Sequence, residues 1–199
     1  GTCCCWRRAW LRAARPGRWR RGLAGAAATG ATLLELMVAT VLAGVLLTSA
    51  FSGYNAVVAD DQLMNHARLL AGSMQMARAE AIKRGHRVNL CKSADGAHCA
   101  DGGGWAQGFI LHGDFDRTGE VEGTDAILRY EPAPKDIQVF ANRPLKDYVS
   151  YTSFGHARLL SGALQMGTFT LCKPGRRAVE VVLVASGRVR IARSRVVCP

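Results

Sequence analysis

Residues 1–30 contain no acidic side chain, and residues 31–84 contain no proline. The first absence leaves Arg7, Arg8, Arg12, Arg15, Arg18, Arg20 and Arg21 unbalanced ahead of everything that follows. The second means that nothing in residues 31–84 forces a helix to stop, since proline is the residue that removes a ladder donor and clashes with the preceding turn. The chain has no Gly-x-Ser-x-Gly elbow, no phosphate-binding P-loop and no His-Glu-x-x-His pair, and the five histidines (His66, His86, His98, His112, His156) lie outside any nucleophile motif. Gly102, Gly103 and Gly104 precede a strand rather than opening a helix, so they do not form a phosphate cradle. Catalysis therefore has no support in the sequence, and no cofactor is expected. There is also no Cys-x-x-Cys pair, no internal repeat and no low-complexity segment.

Against these absences stands one long apolar run. The 21 residues from Ala31 to Phe51 carry a single charge, Glu35. As a helix they would span about 30 Å, enough to cross a bilayer core. Arginines on the N-terminal flank keep that side cytoplasmic and send the remainder outward. A carboxylate within such a run costs roughly 2.5–3.5 kcal/mol near the centre of the membrane and less near its edge, so Glu35 calls for a partner. A plain anchor with a stray acid is the competing reading.

After Phe51 the spacing of Leu63, Leu69, Leu70, Met74, Met76, Ala77, Ala81 and Ile82 is mostly helical. One helix reaching Arg84, with a soft point at Ser52-Gly53 and Gly85 as its C-cap, is expected. From His86 the period shortens. Segments 87–91, 105–111, 126–130, 137–140, 149–153, 168–172, 179–184 and 188–192 read as strands separated by glycine, proline and acidic residues. The resulting fold class is α+β, a long N-terminal transmembrane and assembly helix packed on an antiparallel β-sheet head. The expected divisions are 1–30, a basic leader; 31–52, a transmembrane segment; 53–85, its amphipathic continuation; and 86–199, the head.

Charge is segregated along the chain. Of the formal net charge of +11, +7 belongs to the leader, leaving +4 for residues 31–199. Residues 91–149 sum to −4 and residues 150–199 to +7, which asks for an explanation in terms of partners. In the acidic part, Asp114, Asp116, Thr118, Gly119 and Asp125 approximate positions 1, 3, 5, 6 and 12 of a calcium loop. Asp125 stands where glutamate is usual, and the flanks read as strands rather than helices. A solvated acidic turn bending at Gly119 accounts for the same residues.

Gly30, Thr32, Leu33, Glu35 and the apolar stretch after them resemble the prepilin-type N-terminus of type IV pilins and type II secretion pseudopilins. That resemblance implies cleavage after Gly30 by a prepilin peptidase, N-methylation of Ala31, and a filament in which Glu35 meets the terminal amine of a neighbouring pilin or pseudopilin subunit. Ala31 departs from the usual phenylalanine at the first mature position. The leader is long for the class and holds Cys3-Cys4-Cys5, which a start codon misplaced upstream of a shorter leader would explain. Residues 78–85 (Arg-Ala-Glu-Ala-Ile-Lys-Arg-Gly), Gly104-Trp105, Gly108-Phe109, Ser153-Phe154-Gly155 and Gly187-Arg188-Val189-Arg190 narrow the likeness to the FimT/GspH branch of minor pilins and pseudopilins.

Two consequences follow for the head. In a periplasmic compartment Cys91, Cys99, Cys172 and Cys198 read as two disulfides. Three connectivities are open; Cys91–Cys99 and Cys172–Cys198 are preferred, because the first closes a short loop and the second ties down the C-terminus. Zinc held by Cys91 and Cys99 with His98 is the competing reading. The Gly-Arg-x-Arg pattern resembles the element with which some FimT-like pilins bind double-stranded DNA. Arg188 and Arg190 would share a strand face, with Arg193 and Arg195 on a short tail and Arg176 and Arg177 nearby. Guanidinium forks suit phosphate, and with Phe169 the only aromatic in residues 160–199, base stacking is not indicated. The alternative is a structural pseudopilin in which the arginines blunt an edge strand or dock on an acidic partner.

Overall fold

The computed structural model describes residues 30, 32–123 and 125–199, with side chains of residues 49–53 left out of the description. The leader to residue 29, including Cys3–Cys5, and Ala31 lie outside the described residues. The chain divides into two compact units, Gly1–Leu46 and Leu47–Pro199.

Helix α1 runs from Leu33 to Arg84. Thr32 caps it: its Oγ1 accepts the Glu35 amide at 3.3 Å, which places Glu35 at the third helical position of a Thr-x-x-Glu capping box. Gly85, at φ +71°, closes the other end through its amide to the Ala81 carbonyl. The helix remains continuous through Ser52-Gly53. Among the described residues no helix is long and apolar enough to cross a membrane; the apolar run is described with side chains only as far as Thr48.

In the second unit, α1 buries Leu63, Ala67, Leu70, Met74, Ala77 and Ala81, a stripe at alternating steps of four and three. The alanines let strands approach the helix closely. Ile82, read as part of that stripe, is instead 52 % exposed. Two four-stranded antiparallel sheets flank the core. The first has strand order β3 (Ile127–Pro132), β2 (Gly108–Asp114), β1 (Arg87–Lys92), β5 (Tyr148–Tyr151). The second has order β4 (Gln138–Ala141), β6 (Gly167–Cys172), β7 (Arg177–Leu183), β8 (Val189–Val197). Val88, Leu90, Leu111 and Val149 from the first and Phe169, Leu171, Val181 and Leu183 from the second share one core with the helix. Trp105 joins the two, edge-on to Phe169 at 4.9 Å and donating its indole N–H to the Leu145 carbonyl at 2.8 Å.

Three strand boundaries differ from the sequence reading. Trp105–Gln107 forms a 3₁₀ turn, and the strand begins only at Gly108. Ser153 lies beyond β5 in a turn. Strand β8 runs on to Val197, so Arg193 and Arg195 lie within it and not on a tail. The first sheet is also buried on both faces. Asn89, His112, Asp114 and Ser150, on the side away from the apolar core, are inaccessible to solvent. Loops cover them: the Gln165 side chain accepts the Ser150 amide and donates to the Pro144 and Tyr148 carbonyls, and Arg87 donates to Ser150 Oγ and the Arg158 carbonyl.

Candidate functional site

The structure separates the residues of interest into four places. At the start of α1, Gly30 and Glu35 are exposed. A carboxylate in the first turn complements the partial positive charge of the helix N-terminus, so Glu35 has a local role there besides any contact between subunits. Ten apolar side chains from Leu33 to Leu47 are each at least 51 % exposed. That segment thus presents an apolar surface with one carboxylate near its tip.

The basic residues lie on and around β8, the edge strand of the second sheet. Arg188 pairs across the hairpin with Val184, and Arg190 lies opposite Val182, so these two share a face. Arg193 lies opposite Val179, whose side chain belongs to the buried set, and therefore projects on the other face. It lines a cavity of about 330 Å³ together with Arg176, Arg177, Asp60 and Met64. Arg176 approaches Asp60 at 4.0 Å. Arg188, Arg190, Arg193 and Arg195 make no ion pair among the described residues. The arginines read as one cluster are in fact two groups, because side chains an odd number of positions apart on a strand point to opposite sides.

The glycine of Gly-Arg-x-Arg has a packing reason. Gly187 takes φ +80°, and a Cβ there would sit 2.1 Å from the Gly155 carbonyl oxygen. That same oxygen accepts the Arg78 Nε–H at 2.9 Å. Three of the sequence motifs, around Arg78, Gly155 and Gly187, therefore meet at one point.

Cys91 is bonded to Cys99 and Cys172 to Cys198, each with Cα atoms 5.6 Å apart. The imidazole beside the first pair is His112 rather than His98, with Nε2 at 3.5 Å from Cys99 Sγ. His98 is turned to the Asp95 carboxylate at 2.9 Å, on the surface. Nothing in the residue order marks His112, because its approach depends on strand register: Asn89 pairs with His112 and Cys91 with Ile110, which sets Cys91 and His112 diagonally on one face.

Asp114, Asp116 and Asp125 converge, with carboxylate oxygens within 4.8 Å of one another. Each also closes the loop by hydrogen bonds. Asp114 accepts from Asn89 Nδ2 and the Gly119 amide, Asp116 from the Thr118 amide, and Asp125 from the Phe115 and Glu122 amides. The Thr118 backbone N–H holds the Asp116 carboxyl below its ordinary range.

A family model described as type II transport protein GspH matches residues 66–187. Two crystal structures of the type IV minor pilin FimU of Pseudomonas aeruginosa (strain PAO1) are similar in fold. One is 17 % identical, with a TM-score of 0.53 over 68 % of this chain and 92 % of that one. The other is 18 % identical, with a TM-score of 0.50 over 65 % and 92 %. No curated protein matches the chain by sequence.

Proposed function

The chain belongs to the GspH family of type II transport proteins, and on that premise we propose that it is a minor subunit of a type IV filament system. The precursor sits in the inner membrane through residues 31–52, with its head in the periplasm, and enters a pilus or pseudopilus through the same helix. The observation that carries this reading is the exposed apolar surface from Leu33 to Leu47. Such a surface in water marks an interaction site, and lipid followed by neighbouring subunit helices would cover it. Prepilin peptidase cleaves after Gly30, the new amino terminus at Ala31 is methylated, and Glu35 pairs with that amine across the subunit contact. The intact mass of the chain recovered from membranes tests the processing step. A chain beginning at Ala31 with one added methyl group is expected; an uncleaved chain contradicts it.

The partner of the head is a finer matter. Four arginines on an exposed edge strand, without ion pairs among the described residues, support contact with DNA phosphates, as in a FimT-like uptake pilin. Binding of this kind releases counterions, so its logarithm falls with the logarithm of salt by about 0.9 per phosphate neutralised. Replacing Arg188 and Arg190 by alanine should lower that slope by about 2 if each neutralises one phosphate. Binding that ignores those two residues assigns the strand to neighbouring pseudopilin subunits of a type II secretion system.

A further inference from the structure

The side of the first sheet facing away from the apolar core holds a cluster unrelated to assembly. Cys91 on β1, Cys99 on the covering loop and His112 on β2 place their sulfur and nitrogen atoms within 4.8 Å of one another. His112 is inaccessible to solvent. Its Nδ1 lies 2.9 Å from the Gly113 carbonyl, an acceptor only, so the proton resides on Nδ1 and Nε2 keeps its lone pair. That lone pair faces Cys99 Sγ, and a disulfide sulfur has no proton to offer. A buried acceptor is thus aimed at a group that cannot satisfy it, a situation folded proteins avoid without a reason.

We propose that Cys91, Cys99 and His112 form a metal site selective for zinc-like ions in the dithiol state of the protein, with the disulfide and the metal as alternative occupants. A dithiol reductant transfers two electrons and two protons to the Cys91–Cys99 bond and closes into its own disulfide. Zinc then binds the two sulfurs and His112 Nε2, and the two thiol protons leave to solvent. Two thiolates and an imidazole are ordinary zinc ligands, with the carbonyl on the far ring nitrogen fixing the tautomer. In tetrahedral zinc a sulfur and a nitrogen ligand stand about 3.6 Å apart, from bond lengths of about 2.3 and 2.0 Å. The Sγ–Nε2 separation of 3.5 Å already meets that distance. Only the two sulfurs must part, to about 3.8 Å. A cavity of about 280 Å³ lined by both cysteines, Asp101, Glu120 and Asp147 opens onto the pair, and leaves the fourth position to water or a carboxylate.

The test is zinc titration of the full chain after phosphine reduction, with stoichiometry read by competition against a chromogenic chelator. The reference is the Cys91→Ser/Cys99→Ser chain treated identically, in which Cys3, Cys4, Cys5, Cys172 and Cys198 are unchanged. One additional zinc per chain is expected in the native sequence, bound tenfold or more weakly in His112→Gln. Zinc should also shift the His112 imidazole nitrogen resonances in the reduced native chain, a readout that needs no variant to fold. Equal stoichiometry in the two chains, unchanged affinity in His112→Gln, or unmoved His112 resonances would overturn the proposal.

Discussion

Replacing Gly187 by alanine should be among the most damaging single-methyl additions in the head. Two costs combine. An L residue at φ +80° pays about 1–2 kcal/mol for left-handed backbone. The added Cβ would stand 2.1 Å from the Gly155 oxygen, a backbone atom that cannot swing aside. Relieving that contact moves the carbonyl that Arg78 binds at 2.9 Å, and a hydrogen bond from a charged group is worth about 1.5–3 kcal/mol. The sum is about 3–5 kcal/mol. Gly175→Ala is the internal control. Its φ of +70° carries the same backbone penalty, but nothing lies within 4 Å of the new Cβ, so about 1–2 kcal/mol is expected. Urea denaturation of both variants, followed by circular dichroism, should separate their midpoints by about 1 M or more at the slopes usual for small domains. Equal losses in the two variants would refute the close-approach argument and return Gly187 to a role in ligand contact.

Loss of the disulfides should scale with the loops they close. Cys172→Ser/Cys198→Ser, spanning a separation of 26, should cost about 3.5 kcal/mol, and Cys91→Ser/Cys99→Ser, spanning 8, about 2.5 kcal/mol. Thiol counting by mass spectrometry under non-reducing conditions checks the pairing itself, and four free thiols among these residues would contradict it. Stability should fall as the pH drops below about 6.5, the value for an unconfined histidine. Burial holds the His66 imidazole below that value despite the opposing pull of Glu131, so the unfolded chain takes up a proton before the folded one does. His66→Gln should flatten the stability profile between about pH 7 and pH 5, and parallel profiles would remove His66 as the cause.

Much of this architecture is legible in the residue order, and the gaps have physical causes. Helix α1 announces itself through its apolar spacing and Gly85, and the strands through their period of two. Periodicity does not say whether a sheet face meets water or a covering loop, which is why Asn89, His112 and Asp114 do not look like interior positions. The capping box at Thr32 and Glu35 is a four-residue pattern that the demand for a membrane partner for Glu35 overshadowed. The arginines of β8 divide between two faces once Arg193, opposite Val179, is placed in the strand's register. The convergence of Arg78, Gly155 and Gly187 is beyond any local pattern, because it links residues 77 positions and more apart through a single carbonyl.

The most direct test of the filament assignment is the amount of Glu35→Gln protein recovered in sheared filaments relative to the native chain. Glutamine keeps the capping box, because its side chain can still accept at the third helical position, while the negative charge is removed. Pairing between Glu35 and a neighbour's terminal amine predicts that Glu35→Gln remains in the membrane fraction at normal abundance and is depleted from filaments. Recovery at the native level would contradict the charge pairing, and absence of the native chain itself from filaments would contradict the assignment as a filament subunit.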